Sequence, residues 1–393
     1  MRKGYFRALL LLSAGCVGSL ESTAPDASAA ADTAVDARPL DAVDERTEDA
    51  ARDERIRDAS ADGFAAFDAG ADAASPDLGL PDPCAEVECP RNAVCVSGTC
   101  ECATGFEAIG EGCEPEPVGD PLDHSEAEVC ERWNGTRAAS GDGFTVSDAT
   151  CDPGELAPSA IDEGMARINF YRWLVGVGPA APAPAHVQAQ HCALVSAWNP
   201  AGPGAHFPPE TATCFTPEGA QGAASSNIAW GSRSTIHAID QWVQDRGNAT
   251  TIGHRRWILH PPLSNVQLGL YRGGTSFGGA ACMGVFGSGS GSPRPEWFAF
   301  PPPGPSPVRL PTDTWTFHAA WSFRDVAITV TRLGDGEDMP IMIQPLNPSG
   351  GFGYVNATSF IPMGWRAEAG ETYRVSIVEG ERSVTYDVRP VDC

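Results

Sequence analysis

At 393 residues the chain is long enough for two or three domains of ~100–200 residues each. Its net charge of −25 argues against nucleic-acid binding, which needs a basic face to displace counterions from phosphates. Thirteen cysteines are an odd number, and too many for a reducing compartment.

The first residues read as an export address. Arg2, Lys3 and Arg7 supply positive charge ahead of a short apolar run from Ala8 to Ala14. Ser13-Ala14-Gly15-Cys16 resembles a bacterial lipoprotein cleavage box, with Ser13 where leucine is usual. That resemblance implies a leader over residues 1–16 and lipid on the Cys16 sulfur; an ordinary signal peptide with an incidental Cys16 is the alternative. Setting Cys16 aside leaves twelve cysteines, enough for six bridges. No later stretch approaches the ~18 apolar residues of a spanning helix, so membrane attachment is expected through lipid alone. The expected location is the cell envelope, at the outer membrane or cell surface.

Residues 17–81 follow as a tether. Between 21 and 80 there are 12 Asp and 4 Glu against 5 Arg, about −11 of the total charge. Such an Ala-rich, charged stretch cannot bury enough apolar surface to offset its chain entropy. An acidic partner-binding tail is the other reading.

Residues 82–115 hold Cys84, Cys89, Cys95, Cys100, Cys102 and Cys113. So short a segment cannot build a stable apolar core, so bridges must supply its stability, and six cysteines allow fifteen connectivities. The spacing, with Gly105-Phe106 after Cys102, resembles an EGF-like module. The resemblance implies Cys84–Cys95, Cys89–Cys100 and Cys102–Cys113, and Pro83 stands where calcium-binding members carry an acid. A spacer and an adhesive module are both open readings.

From 120 to 290 helical and strand patterns interleave. Ser159 with Asp162 offers a capping box before Ile161, Met165, Ile168 and Tyr171, and the Gly176–Pro179 run stops that helix. A second helix is predicted over Ala185–Trp198 and a third over Ser234–Asp245, with strands at Val266–Tyr271 and Ala281–Phe286. By proximity alone, Cys130 is expected to pair with Cys151, and Cys192 with Cys214.

Within this region four short words occur in order: Ala205-His206, Ser226-Asn227-Ile228-Ala229, Trp242-Val243-Gln244-Asp245, and Gly253-His254-Arg255-Arg256-Trp257-Ile258-Leu259. Their order resembles the cavity-lining motifs of the CAP/SCP family, the secreted domain of cysteine-rich secretory proteins, insect venom allergens and plant pathogenesis-related proteins. The stretch from Gly253 to Pro261 is similar to the Gly-His-Arg-x-x-(Ile/Leu)-Leu-x-Pro run of bacterial members. The resemblance implies an α-β-α sandwich with an open cavity lined by two histidines and two glutamates, where several members bind a divalent cation. Carried across, His206 and His254 are the histidines, and Asp245 takes the place of one glutamate. Ser226, ahead of Asn227, stands where the other belongs, and serine is a poor zinc ligand. Two imidazoles and a carboxylate remain, a set able to hold zinc or another divalent cation with an open position. The competing reading is that His206, Asp245 and His254 are hydrogen-bonded walls of a polar cleft. One of Arg255 and Arg256 is expected to pair with Asp240 or Asp245, while His191 reads as packed and His237 as exposed. The Gly287–Ser292 run reads as a flexible loop.

Residues 296–393 change character after Pro301-Pro302-Pro303. Short β-branched runs at Val326–Leu333, Ile341–Pro345, Tyr373–Val378 and Ser383–Val388 suggest a small antiparallel β-sandwich, with Cys393 tied back to Cys282. The whole reads as α+β: an EGF-like module, a CAP-like domain and a β-sandwich-like domain.

No zincin motif, nucleophile elbow, P-loop or Rossmann fingerprint is present. The modular build of lipid, tether, EGF-like spacer, cleft-bearing domain and β cap suits a display protein. The leading expectation is therefore a non-enzymatic, surface-anchored protein that binds an extracellular ligand or envelope partner in a His/Asp-lined cleft. The alternatives are a zinc-dependent extracellular hydrolase using His206, His254 and Asp245, and a purely structural envelope protein.

Overall fold

The computed structural model describes residues 83–393 apart from 85–86, 91, 104, 111, 117–118, 139–143, 146–150, 289–294, 311–312, 323–324 and 347–355. The leader, Cys16 and the tether over 17–81 lie outside these residues, as does the 289–292 part of the glycine-serine loop. What is described is α+β and carries six disulfides. That density of bridges points to an oxidising, extracytoplasmic compartment. Among the described residues no helix is long and apolar enough to cross a membrane.

The six-cysteine module is two antiparallel hairpins, β1 (Ala93–Val96) with β2 (Thr99–Cys102) and β3 (Phe106–Ile109) with β4 (Gly112–Pro115). Its bridges are Cys84–Cys95, Cys89–Cys100 and Cys102–Cys113, each closing a separation of 11 residues. Ala103, Phe106 and Cys113 are its main buried apolar side chains, and they cluster with Ala181 from the next region. Against so small a core, the loop closures, roughly 3 kcal/mol each, dominate. The module is docked as well as stapled. Gly105 has φ +88°, and a Cβ there would come within 2.8 Å of Pro179.

The central region begins with α1 (Glu126–Gly135), capped by the Ser125 hydroxyl, which accepts from the Glu128 amide. A two-residue ladder, β5 (Phe144–Thr145) with β6 (Glu155–Leu156), precedes α2 (Pro158–Leu174). The expected capping box at Ser159 and Asp162 is not used. Ala157 is the cap residue and Pro158 opens the helix, a position that suits a residue with no amide to satisfy. Helix α2 is buried on most sides, so even Arg167 and Arg172 lie inside. Arg172 is satisfied by carbonyls of Gly178, Ile258, His260 and Leu263, which ties the helix to the chain around residue 260. Burial pulls its guanidinium down to about 9, still charged at neutral pH.

After β7 (Ala181–Pro182) come α3 (Val187–Trp198), α4 (Pro217–Ala224), β8 (Ser226–Trp230), α5 (Thr235–Gln244), α6 (Gly253–Ile258), β9 (Leu263–Arg272) and β10 (Gly279–Ser288). The strands form one sheet in the order β7-β9-β10-β8, antiparallel except for the short β7. Alternation along the strands decides which helix meets which face. Gly269 and Cys282 are register partners and face α3. A Cβ on Gly269 would lie 2.1 Å from the Ala189 carbonyl oxygen, and Cys282 is bonded to Cys192 of the same helix. Leu268 points the other way, into the space left by Gly164 of α2. Thr235 of α5 donates to the Ala160 carbonyl there at 2.9 Å, so α2 and α5 cover this second face together.

The last region is all strand. One sheet has the order β11 (Trp297–Phe300), β13 (Trp315–Ala319), β17 (Ala357–Pro362) and β16 (Ile341–Pro345). The other runs β12 (Gly304–Pro307), β19 (Arg382–Val391), β18 (Tyr373–Glu379), β14 (Ala327–Arg332) and β15 (Glu337–Asp338). Trp315, Phe317 and Phe360 of the first bury together with Val330, Val375, Ile377 and Val388 of the second. The all-antiparallel expectation fails at one place, where β12 and β19 are parallel. The intervening chain is long enough for the crossover that a parallel pair requires.

Strand β11 is buried on both faces. Phe298 and Phe300 join the helical core, while Ala299 joins the β core. Along this seam His318 stacks on Phe298 at 4.4 Å, and burial, reinforced by Arg256 and Arg255, holds its ring well below the usual histidine range.

Three of the expected bridges are not formed. In place of Cys130–Cys151, Cys192–Cys214 and Cys282–Cys393, the pairs are Cys130–Cys393, Cys151–Cys214 and Cys192–Cys282. Proximity in sequence was the wrong guide, because strand register aims Cys282 at α3 and away from the C-terminus.

Candidate functional site

Two of the predicted site residues, Asp245 and His254, hang on the two ends of a tight connection between α5 and α6. Helix α5 ends at Asp245 in a left-handed conformation with φ +56°, one that aspartate tolerates better than most residues. This reversal turns the carboxylate back over the start of α6, whose cap residue, Ile252, has no polar side chain. Asp245 fills that role. One carboxylate oxygen accepts from the backbone amides of His254 at 3.0 Å and Arg255 at 3.4 Å. The other accepts from the Asn248 amide at 3.2 Å and from His254 Nδ1 at 2.6 Å.

Four donors account for the lone pairs a carboxylate offers, so Asp245 has no oxygen left for a metal. In this arrangement Asp245 serves His254 and the start of α6, as the hydrogen-bonded reading of the trio expects. Among the described residues no group of three or more histidine, cysteine, aspartate or glutamate side chains is gathered to hold a metal ion. Asp245 instead fixes His254. Because Asp245 accepts at Nδ1, the ring carries a proton there, and the neutral tautomer this selects presents Nε2 as a lone pair. The His254 side chain is 28% exposed and that of Asp245 is 0% exposed, so the ring reaches solvent from a buried anchor.

His206 is prepared in the same way by different means. It ends the 3₁₀ turn Pro203–His206, and its Nδ1 lies 2.8 Å from the Ala223 carbonyl at the end of α4. A carbonyl can only accept, so this ring too presents Nε2. Strand β8 contributes the remaining two residues. Asn227 is buried and donates to the His254 carbonyl at 3.1 Å, binding the strand to α6. Ser226 is buried with its hydroxyl making no hydrogen bond among the described residues. The structure thus joins Asn227, Asp245 and His254 directly and anchors His206 separately on α4.

Sequence reading passed over the aromatic side chains here. Phe207 follows His206 and is 77% exposed, and Phe286 is 59% exposed with its ring 5.0 Å from Trp257. Trp257 lies one turn beyond His254 on α6, on the same side of that helix. Large exposed aromatic rings next to polar groups are the signal that could have found them.

Arg255 departs from expectation: among the described residues its side chain bonds to carbonyls and not to the carboxylate of Asp240 or Asp245. Arg255 is buried, donates to carbonyls of Val243 and Thr314, and lies 4.6 Å above the Phe300 ring. Arg256 donates to the Thr251 carbonyl. Burial lowers both to about 10, opposed in each by the charge of Asp245. Asp240 is taken by Arg167, through Nε at 2.7 Å and a terminal nitrogen at 3.1 Å, and by the Tyr171 hydroxyl at 2.6 Å. His191 bonds to the Thr216 hydroxyl at 2.9 Å, and His237 is exposed on α5. Comparison of the chain with protein-family models, with curated proteins and with solved structures found no match.

Proposed function

We propose that the chain is a lipid-tethered, extracytoplasmic binding protein whose central region is a CAP-like α-β-α sandwich, preceded by an EGF-like module and followed by a β-sandwich-like domain. Its ligand, an extracellular molecule or an envelope component, is recognised at His206 and His254. The observation that carries this reading is the matched anchoring of the two rings, by Ala223 at 2.8 Å and Asp245 at 2.6 Å. Each fixes Nδ1 as donor and leaves Nε2 as an acceptor, an arrangement suited to receiving a donor group of a ligand. Phe207, next in sequence to His206, and Phe286, whose ring meets Trp257 of the His254 helix, are exposed apolar surface available to the same ligand.

The hydrolase alternative needs a third protein ligand to hold zinc, and the saturated carboxylate of Asp245 does not fit that role. The test is a binding screen of the purified protein against envelope lipids, glycans and surface proteins, with metal analysis of protein purified without chelator. The expected result is a bound partner, lost in His206→Ala and His254→Ala with the melting transition intact. Stoichiometric zinc together with turnover abolished in His206→Ala, His254→Ala and Asp245→Ala would overturn it in favour of the hydrolase.

A further inference from the structure

A hollow lies along α5, where His237, Asp240, Gln241 and Gln244 line it. A groove of about 990 Å³ separates that helix from the loops after β12 and β17. Its volume sits at the upper end of small-ligand sites, ~300–1,000 Å³, which leaves room for several linked rings.

One wall carries Trp365. Its indole is held in place three ways: Nε1 donates to the Pro340 carbonyl at 2.7 Å, the ring stacks on Tyr373 at 5.2 Å, and the Trp315 ring meets it at 5.7 Å and 71°. A platform fixed this firmly has little side-chain entropy left to lose on binding.

The charges of the groove are unevenly spent. Asp240 is neutralised by Arg167, and Asp313 accepts from Arg246 and Gln244. Arg309 and Arg366 also line the groove, both exposed, and neither forms an ion pair among the described residues. Glu368 is the one lining carboxylate left without an ion pair among the described residues, so in a chain of net charge −25 the unpaired groups of this groove are two guanidiniums against one carboxylate. Guanidinium groups bind carboxylate and sulfate through paired hydrogen bonds, and an indole face accepts the C–H face of a sugar ring.

We propose that this groove binds an acidic polysaccharide, with Trp365 as the stacking surface and Arg309 and Arg366 holding its anionic groups. The inference is independent of the histidine cleft. Its test is affinity electrophoresis of the full chain through gels containing polygalacturonate, heparin or neutral dextran. Retardation is expected in polygalacturonate or heparin and not in dextran, whichever acid is preferred identifying carboxylate or sulfate. It should weaken at least tenfold in Arg309→Gln/Arg366→Gln and in Trp365→Ala, and fall with added salt. Both arginines are exposed, so the double variant reports even if Trp365→Ala fails to fold. No retardation by either acidic polymer, equal retardation by dextran, or binding unchanged in the arginine variant would each overturn the proposal.

Discussion

Asp245 Oδ1 and His254 Nδ1 stand 2.6 Å apart, and the same carboxylate caps the helix on which His254 rides. One side chain therefore sets both the position of the ring and its tautomer. Asp245→Ala leaves the amides of His254 and Arg255 without their acceptor, at ~1–3 kcal/mol per buried donor. A loss on the order of 3 kcal/mol is expected in denaturant unfolding. Asp245→Asn loses less: its one oxygen keeps the backbone amides of α6, and the NH2 group then facing Nδ1 can only donate, which moves the ring proton to Nε2. Imidazole nitrogen shifts in NMR spectra should reveal that switch. An unchanged tautomer in Asp245→Asn would show that the carboxylate does not govern His254.

The sheet and its two helical layers are set by missing methyl groups. A Cβ on Gly269 would sit 2.1 Å from the backbone oxygen of Ala189, which cannot move without shifting α3. At Gly164 the nearest atom, 2.7 Å away, is the tip of the Leu268 side chain, which can rotate. Overpacking typically costs ~1–3 kcal/mol. Gly269→Ala is expected at or beyond the top of that range and Gly164→Ala near the bottom. Thermal denaturation of the two variants checks the order, and a reversal would contradict the assigned faces.

Much of this architecture is legible in the chain, and the failures have physical reasons. Apolar periodicity marks α3, α5 and the strands around Leu268, Cys282 and Ile377, because each buries one face against a neighbour. The order of His206, Asn227, Asp245 and His254 marks where to look. It does not tell that Asp245 is saturated, because two of its four donors are backbone amides of α6, which no side-chain pattern encodes. Nothing in the pattern marks Arg172 and Arg255 as buried, since the groups that satisfy them are carbonyls freed at helix ends and loops. Disulfide partners and the parallel β12–β19 pair join segments far apart in sequence, which local patterns cannot rank.

Buried histidines make stability depend on pH. His318 is held well below the usual range by burial and by Arg256 and Arg255, and burial alone lowers His186. A depressed value in the folded state means that, below about pH 6.5, the unfolded chain binds protons that the folded chain does not. Stability from these groups is complete above that pH and is lost as pH falls towards the folded values. Denaturant midpoints should be flat from pH 8 to about 7 and decline below 6.5. His318→Phe, which keeps a ring against Phe298, should flatten part of that decline. An identical slope in the variant would remove His318 from the account.

The bridge between Cys130 and Cys393 closes a separation of 263 residues and ties α1 to the C-terminus beyond β19. By the chain-entropy argument so long a loop is worth on the order of 5 kcal/mol, more than the ~3 kcal/mol of a short one. Strand β19 lies between β12 and β18, and β12 packs near α1, so freeing Cys393 loosens the seam on which Phe298 and Phe300 are buried. The double variant Cys130→Ser/Cys393→Ser should melt well below the parent protein. Proteolysis should then cut first near the C-terminal strand while the sheet clamped by Cys192–Cys282 stays protected. If Cys151→Ser/Cys214→Ser, whose bridge spans 63 residues, proves the more damaging pair, then local geometry outweighs loop length in this fold.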